Sequence, residues 1–205
     1  MLVFWQPRLV FLATPKTGTT AIEAALEPLS VMSVLRPPAL KHTPASRYQK
    51  HLRPFLEKPS GARFTCVAQM REPVDWLRSW YRFRRREAVE ATDRSTAEMS
   101  FEDFVEGYLA DPRPTFANVG QQSRFLSHNG KLAVDHLFRY EDMDALLAFL
   151  EDRLGCALTL PVVNISPPGE TTLPAPLAER LRREMAPDLD LYARIPPGGA
   201  LAGDL

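Results

Sequence analysis

Thr14-Pro15-Lys16-Thr17-Gly18-Thr19-Thr20 concentrates groups that donate to an anion. Thr17, Thr19 and Thr20 carry hydroxyls, Lys16 a mobile full charge, and Gly18 lets the backbone come close to a phosphate. An apolar run, Leu9 to Ala13, precedes them and a helix is predicted from about Thr19 to Leu26, so they stand where a strand hands over to a helix. Free backbone N–H groups and the positive end of the helix dipole favour an anion at such a junction. The order is not that of the nucleoside-triphosphate loop GxxxxGK[ST]. Lys16 precedes Gly18, and Val10 stands where the first glycine would be. Taken by itself, the segment also fits a plain strand–turn–helix.

A second segment, Met70-Arg71-Glu72-Pro73-Val74-Asp75-Trp76-Leu77-Arg78-Ser79-Trp80-Tyr81, begins at the end of a predicted strand and runs into a predicted helix. Positive charge gathers here, with five arginines between Arg78 and Arg86. Helical spacing from Ser79 puts Arg82 and Arg86 on its face, either extending an anion site or receiving an anionic substrate. Arg84 and Arg85 are expected to form a solvated basic stripe, and Trp76, Trp80 and Phe83 to lie in the core.

The elements that must position these groups alternate between strand and helix, which predicts an α/β fold with a mostly parallel sheet and helices on its faces. Strands are expected at Leu9 to Ala13, Val31 to Leu35, Arg63 to Met70 and Val134 to Phe138. Thr43-Pro44 reads as an N-cap with proline at the first helical position, opening a helix toward Phe55. Pro73 opens a helix to about Glu87. Ser100 with Asp103 resembles a capping box ahead of Phe104. Gln121 to Leu126 is expected to be helical, Glu141 to Leu154 to be a helix stopped by Gly155, and Pro176 to Met185 to be the last helix. One domain is expected over residues 1–195, with a disordered tail over 196–205.

Lys plus Arg equals Asp plus Glu at 25 each, so no global field draws the chain toward nucleic acid or a membrane. The amino-terminal apolar stretch is broken by Gln6, Pro7 and Arg8 and is too short to span a bilayer. The cysteines, Cys66 and Cys156, have no metal-ligand or CxxC spacing. Two buried free thiols in a reducing, cytoplasmic compartment are expected.

PKTGTT (Pro15 to Thr20) resembles the 5′-phosphosulfate-binding loop of the sulfotransferases that use 3′-phosphoadenosine 5′-phosphosulfate (PAPS). The resemblance implies that Pro15, Lys16, Thr17, Gly18, Thr19 and Thr20 bind the cofactor, with Lys16 as the cation beside the transferring sulfuryl group. The second segment is similar to that family's 3′-phosphate-binding segment, an arginine with a serine eight residues on. Arg71 and Ser79 match its phosphate ligands, and a phosphate does want a bidentate guanidinium and a hydroxyl. Phe138 to Met143 resembles the family's strand-to-helix "YEDL" element, Asn118 to Leu126 a segment after the 3′-phosphate helix, and Asn164 to Ser166 a late loop over the nucleotide. The implied fold is P-loop-like and three-layered, and the second segment resembles the carbohydrate and heparan-type branch.

Sulfuryl transfer needs a base for the acceptor proton and a cation at the leaving phosphate, with no metal expected. His42, in Leu40 to Pro44, is the candidate base, with Glu23 and Glu72 as weaker ones. The acceptor is a small-molecule or saccharide hydroxyl or amine. Without an anchor, a bacterial cytoplasmic enzyme acting on a glycan precursor, lipid or small metabolite is expected. Two other readings stay open: a magnesium- and ATP-dependent phosphotransferase, and a domain that binds PAP, the nucleotide product, without turnover.

Overall fold

The computed structural model describes residues 1–86, 89, 92–161 and 170–203. The expected loop at 164–166 lies outside them. The strands are β1 (Leu2–Phe4), β2 (Leu9–Phe11), β3 (Met32–Ser33), β4 (Thr65–Met70), β5 (Ser127–His128), β6 (Lys131–Leu132), β7 (His136–Arg139) and β8 (Ala200–Ala202). Six of them form one sheet in the order β3-β1-β2-β4-β7-β8, while β5 and β6 make a separate hairpin.

The expectation of a mostly parallel sheet needs correction. Only the centre is parallel: β2 pairs with β4, and β4 with β7. The pairings of β1 with β2, β1 with β3, and β7 with β8 are antiparallel. The cause lies at the edges. Leu2–Phe4 turns straight back into Leu9–Phe11 across Trp5 to Arg8, and so short a connection joins only antiparallel neighbours. The tail after Pro196, expected to be disordered, instead supplies β8. Its Ala200 to Ala202 pair with Phe138 to His136, and Gly203 N–H donates to Asp135 O at 3.1 Å.

The helices are α1 (Thr19–Leu26), α2 (Pro38–Lys41), α3 (Ala45–Arg47), α4 (Arg53–Ser60), α5 (Pro73–Arg84), α6 (Phe101–Leu109), α7 (Gln122–Leu126), α8 (Met143–Leu154), α9 (Ala175–Glu184) and α10 (Ala186–Ala193). Strand alternation divides them between two faces. Leu9 and Phe11 pack with Ile22 and Leu26 of α1 and with Leu146 and Leu150 of α8. Val10, Cys66 and Ala68 pack on the other side with Ala45, Tyr48, Leu56, Leu126 and Leu191. A third cluster joins Trp76 and Tyr81 of α5, Phe104 and Tyr108 of α6, and Leu177 and Leu181 of α9. Among the described residues, no helix is long and apolar enough to cross a membrane.

Local signals shaped several ends as expected. Ser100 and Asp103 form both bonds of a capping box on α6, and α8 stops at Gly155 with φ 69°. Thr43 does not cap α3. Its hydroxyl donates to Leu40 O at 2.6 Å, and Pro44 takes the N-cap position.

Candidate anion-binding and catalytic site

β2, β4 and β7 are neighbours and point the same way, so the chain leaves all three on one edge of the sheet. That edge of an open α/β sheet is where ligands sit. The turn from Leu12 to Gly18 follows β2, Arg71 follows β4, and Tyr140 follows β7. Gly18 is the N-cap of α1 at φ 69°, and Lys16 is left-handed too, at φ 65°. A lysine in that region is strained and is held by its surroundings.

The loop divides its labour. The Thr17 hydroxyl donates to Thr14 O at 3.0 Å, and Pro15 O accepts the indole N–H of Trp76 at 2.9 Å. Thr17 and Pro15 thus fix the turn. Thr19 is buried at the start of α1, whereas Gly18 and Thr20 are exposed. The Thr20 hydroxyl accepts from Lys41 Nζ at 3.4 Å.

Lys16 Nζ lies 4.2 Å from the centre of the Phe83 ring and 5.7 Å from that of Trp80. Burial, then the fields of Arg86, Arg71 and Arg82, push its amine down to about 7. Arg71 donates through Nη1 to Lys16 O at 3.4 Å and stacks on Tyr140, 4.6 Å from the ring centre. Its Nε donates to Asp75 Oδ2 at 2.7 Å, and Nη2 reaches the same oxygen. Arg82 pairs with the other oxygen of Asp75 at 3.7 Å. Ser79 is buried on α5, four residues after Asp75 and three before Arg82. Lys16, Arg71, Arg82 and Arg86 therefore share one electrostatic neighbourhood.

His42 follows α2, and its Nδ1 lies 2.7 Å from Ala13 O. A carbonyl only accepts, so Nδ1 carries the proton and Nε2 keeps its lone pair. Burial lowers the imidazole below its ordinary value, with the Ala13 bond acting in the opposite sense. Glu23, the competing carboxylate, is tied to Lys41 Nζ at 2.7 Å. Glu72 forms no salt bridge among the described residues. It caps α5 by accepting Asp75 N–H at 2.7 Å.

Two further expectations are corrected. Trp76 is core, but Trp80 and Phe83 are only partly buried, and their faces hold Lys16. Arg84 is no solvated charge: it is buried, and its guanidinium donates to Thr115 O at 2.7 Å, to Phe116 O and to Asn118 O at 3.3 Å. Gln122, which the sequence places only within the Asn118 to Leu126 segment and without a role, accepts from Arg71 N at 3.0 Å and donates to Arg71 O at 2.8 Å. Sequence reasoning missed Asp75, although four residues from Arg71 to Asp75 is ion-pair spacing on a helix.

No family model, curated protein or solved structure matches this chain. The chemistry of the site rests on its own residues. A cationic, partly desolvated group of side chains with one shared carboxylate, Asp75, suits a multiply charged anion, and the His42 imidazole is hydrogen-bonded to Ala13 in the loop that carries Lys16.

Proposed function

We propose that this chain is a PAPS-dependent sulfotransferase with a P-loop-like fold, moving a sulfuryl group to a hydroxyl or amine of a small molecule or saccharide. One observation carries the reading: the carbonyls of Ala13 and Lys16, in a single turn, accept hydrogen bonds from His42 and Arg71. A base, a cation and a phosphate ligand are thereby fixed to one short piece of backbone. The two free cysteines, Cys66 and Cys156, are in keeping with a cytoplasmic setting.

In this reaction the acceptor oxygen or nitrogen attacks sulfur, and its proton passes to His42 Nε2. The bond between sulfur and the 5′-phosphate oxygen breaks, and Lys16 neutralises the charge that develops on that oxygen. An incoming phosphate opposes the burial that lowers the Lys16 amine and so returns it to the charged form. Arg71 and Ser79 hold the 3′-phosphate.

Calorimetric titration with PAP in metal-free buffer tests this. The wild type should bind, Arg71→Ala should lose about 2–3 kcal/mol, roughly 30- to 150-fold, and ATP, without a 3′-phosphate, should bind far more weakly. Binding of ATP with magnesium but not of PAP would replace this reading with a phosphotransferase. PAP binding without transfer to any acceptor, and with no effect of His42→Gln, would leave a nucleotide-binding domain.

A further inference from the structure

A second concavity, of about 320 Å³, lies between α5 and α9. Val74 and Arg78, one helical turn apart on α5, face it together with Ala178 and Arg182, one turn apart on α9. Thr171 and Leu173 close it. Arg78 adjoins Ser79 in sequence, but successive helical residues face about 100° apart, so it presents a different side of α5 from Ser79, and Arg82, one turn beyond Arg78, pairs with Asp75.

The arginines here differ from their neighbours. On α9, Arg180 pairs with Glu106 at 2.8 Å and Arg183 with Glu179 at 2.9 Å. Among the described residues Arg182 takes no carboxylate and no acidic side chain lines the concavity. Arg78 Nε is buried without a hydrogen-bond partner. A desolvated guanidinium N–H is costly until something accepts from it. Two forked guanidiniums and a threonine hydroxyl offer more donors than the two oxygens of a carboxylate occupy, and suit a tetrahedral oxyanion. The Val74, Ala178 and Leu173 side chains reward a hydrocarbon body beside it.

The geometry points to a second anion site, separate from Lys16, that takes the phosphate or sulfate monoester of a small apolar alcohol. This does not rest on the nucleotide reading. Phenyl phosphate is the probe, titrated by calorimetry into the full chain and into Lys16→Ala, in which the first site lacks its loop lysine. Saturable binding is expected in both proteins. Arg78→Gln and Arg182→Gln, each built on Lys16→Ala, should weaken it at least tenfold. Inorganic phosphate should bind at least tenfold more weakly than the ester, and phenol should not bind. Arg78→Lys keeps the charge and loses the fork, so it should also weaken binding, which guards against a folding defect in Arg78→Gln. The proposal is overturned if Lys16→Ala shows no saturable binding, if neither arginine substitution weakens it, if inorganic phosphate matches the ester, or if PAP displaces the probe from Lys16→Ala.

Discussion

Gly18 and Tyr140 stand so close that a β-carbon on residue 18 would meet Tyr140 Cε2 at 2.9 Å. The contact joins the loop after β2 to the turn after β7, and Tyr140 in turn lies against Arg71 from β4. Gly18 is thus required twice, for its φ of 69° and for this approach. Gly18→Ala is expected to cost about 1–3 kcal/mol in urea unfolding. In a Tyr140→Ala background the cost should shrink, because only the dihedral strain is left. A double-substitution cycle measures the difference; equal costs in both backgrounds would mean that the tyrosine yields freely.

The amine of Lys16 titrates at about 7, against 10.5 for an ordinary lysine. Between those values the unfolded chain binds more protons than the folded one, so stability should climb as pH rises from about 7 toward 10.5. Below 7 both states are protonated and the burial penalty is borne in full. Lys16→Met is therefore expected to raise Tm at pH 7, by about 1–2 kcal/mol or roughly 2–8 °C after allowance for solvent screening. It should also flatten the alkaline rise. Thermal melts of both proteins from pH 6 to pH 10 check the sign, and a lower Tm for Lys16→Met would contradict it.

Much of this site was legible because its signals are local. The Thr14 to Thr20 turn, the Arg71-to-Pro73 opening and the stop at Gly155 are set by residues a few positions apart, and α1 runs over Thr19–Leu26 as the pattern predicts. The edge strand β3 falls within the expected Val31 to Leu35, but β1 and β8 were not legible, since they are three-residue strands too short to show alternation. Arg84 reads as one more charge in a basic run, but distant carbonyls from Thr115 to Asn118 capture it. Gln122 meets Arg71 across 51 residues, and no spacing rule reaches that far.

Asp75 holds Arg71 through both nitrogens on one edge and also pairs with Arg82, so any anion that uses those guanidiniums must share or displace it. Asp75→Asn is expected to tighten PAP binding about tenfold while lowering stability by about 1 kcal/mol, since partly buried arginines lose a counter-charge. Calorimetry and melts on the same samples separate the two effects. Unchanged affinity would mean that Asp75 orients Arg71 from an edge the ligand does not need.

Asp188 governs Arg71 from farther away. Its buried carboxylate accepts Gln122 N–H at 3.2 Å and Ser123 N–H at 2.8 Å, capping α7 from another helix. The Gln122 side chain then grips the backbone of Arg71 on both sides. Asp188→Ala leaves two buried donors without an acceptor and is expected to cost about 2–3 kcal/mol; Asp188→Asn, which keeps one oxygen, should cost about half as much. Gln122→Ala should cost about 1–2 kcal/mol and weaken PAP binding without touching any ligand itself. Amide hydrogen exchange at Gln122 and Ser123 should accelerate in both Asp188 proteins. In Gln122→Ala the acceleration should instead appear at Arg71, because there the cap survives and only the grip is lost.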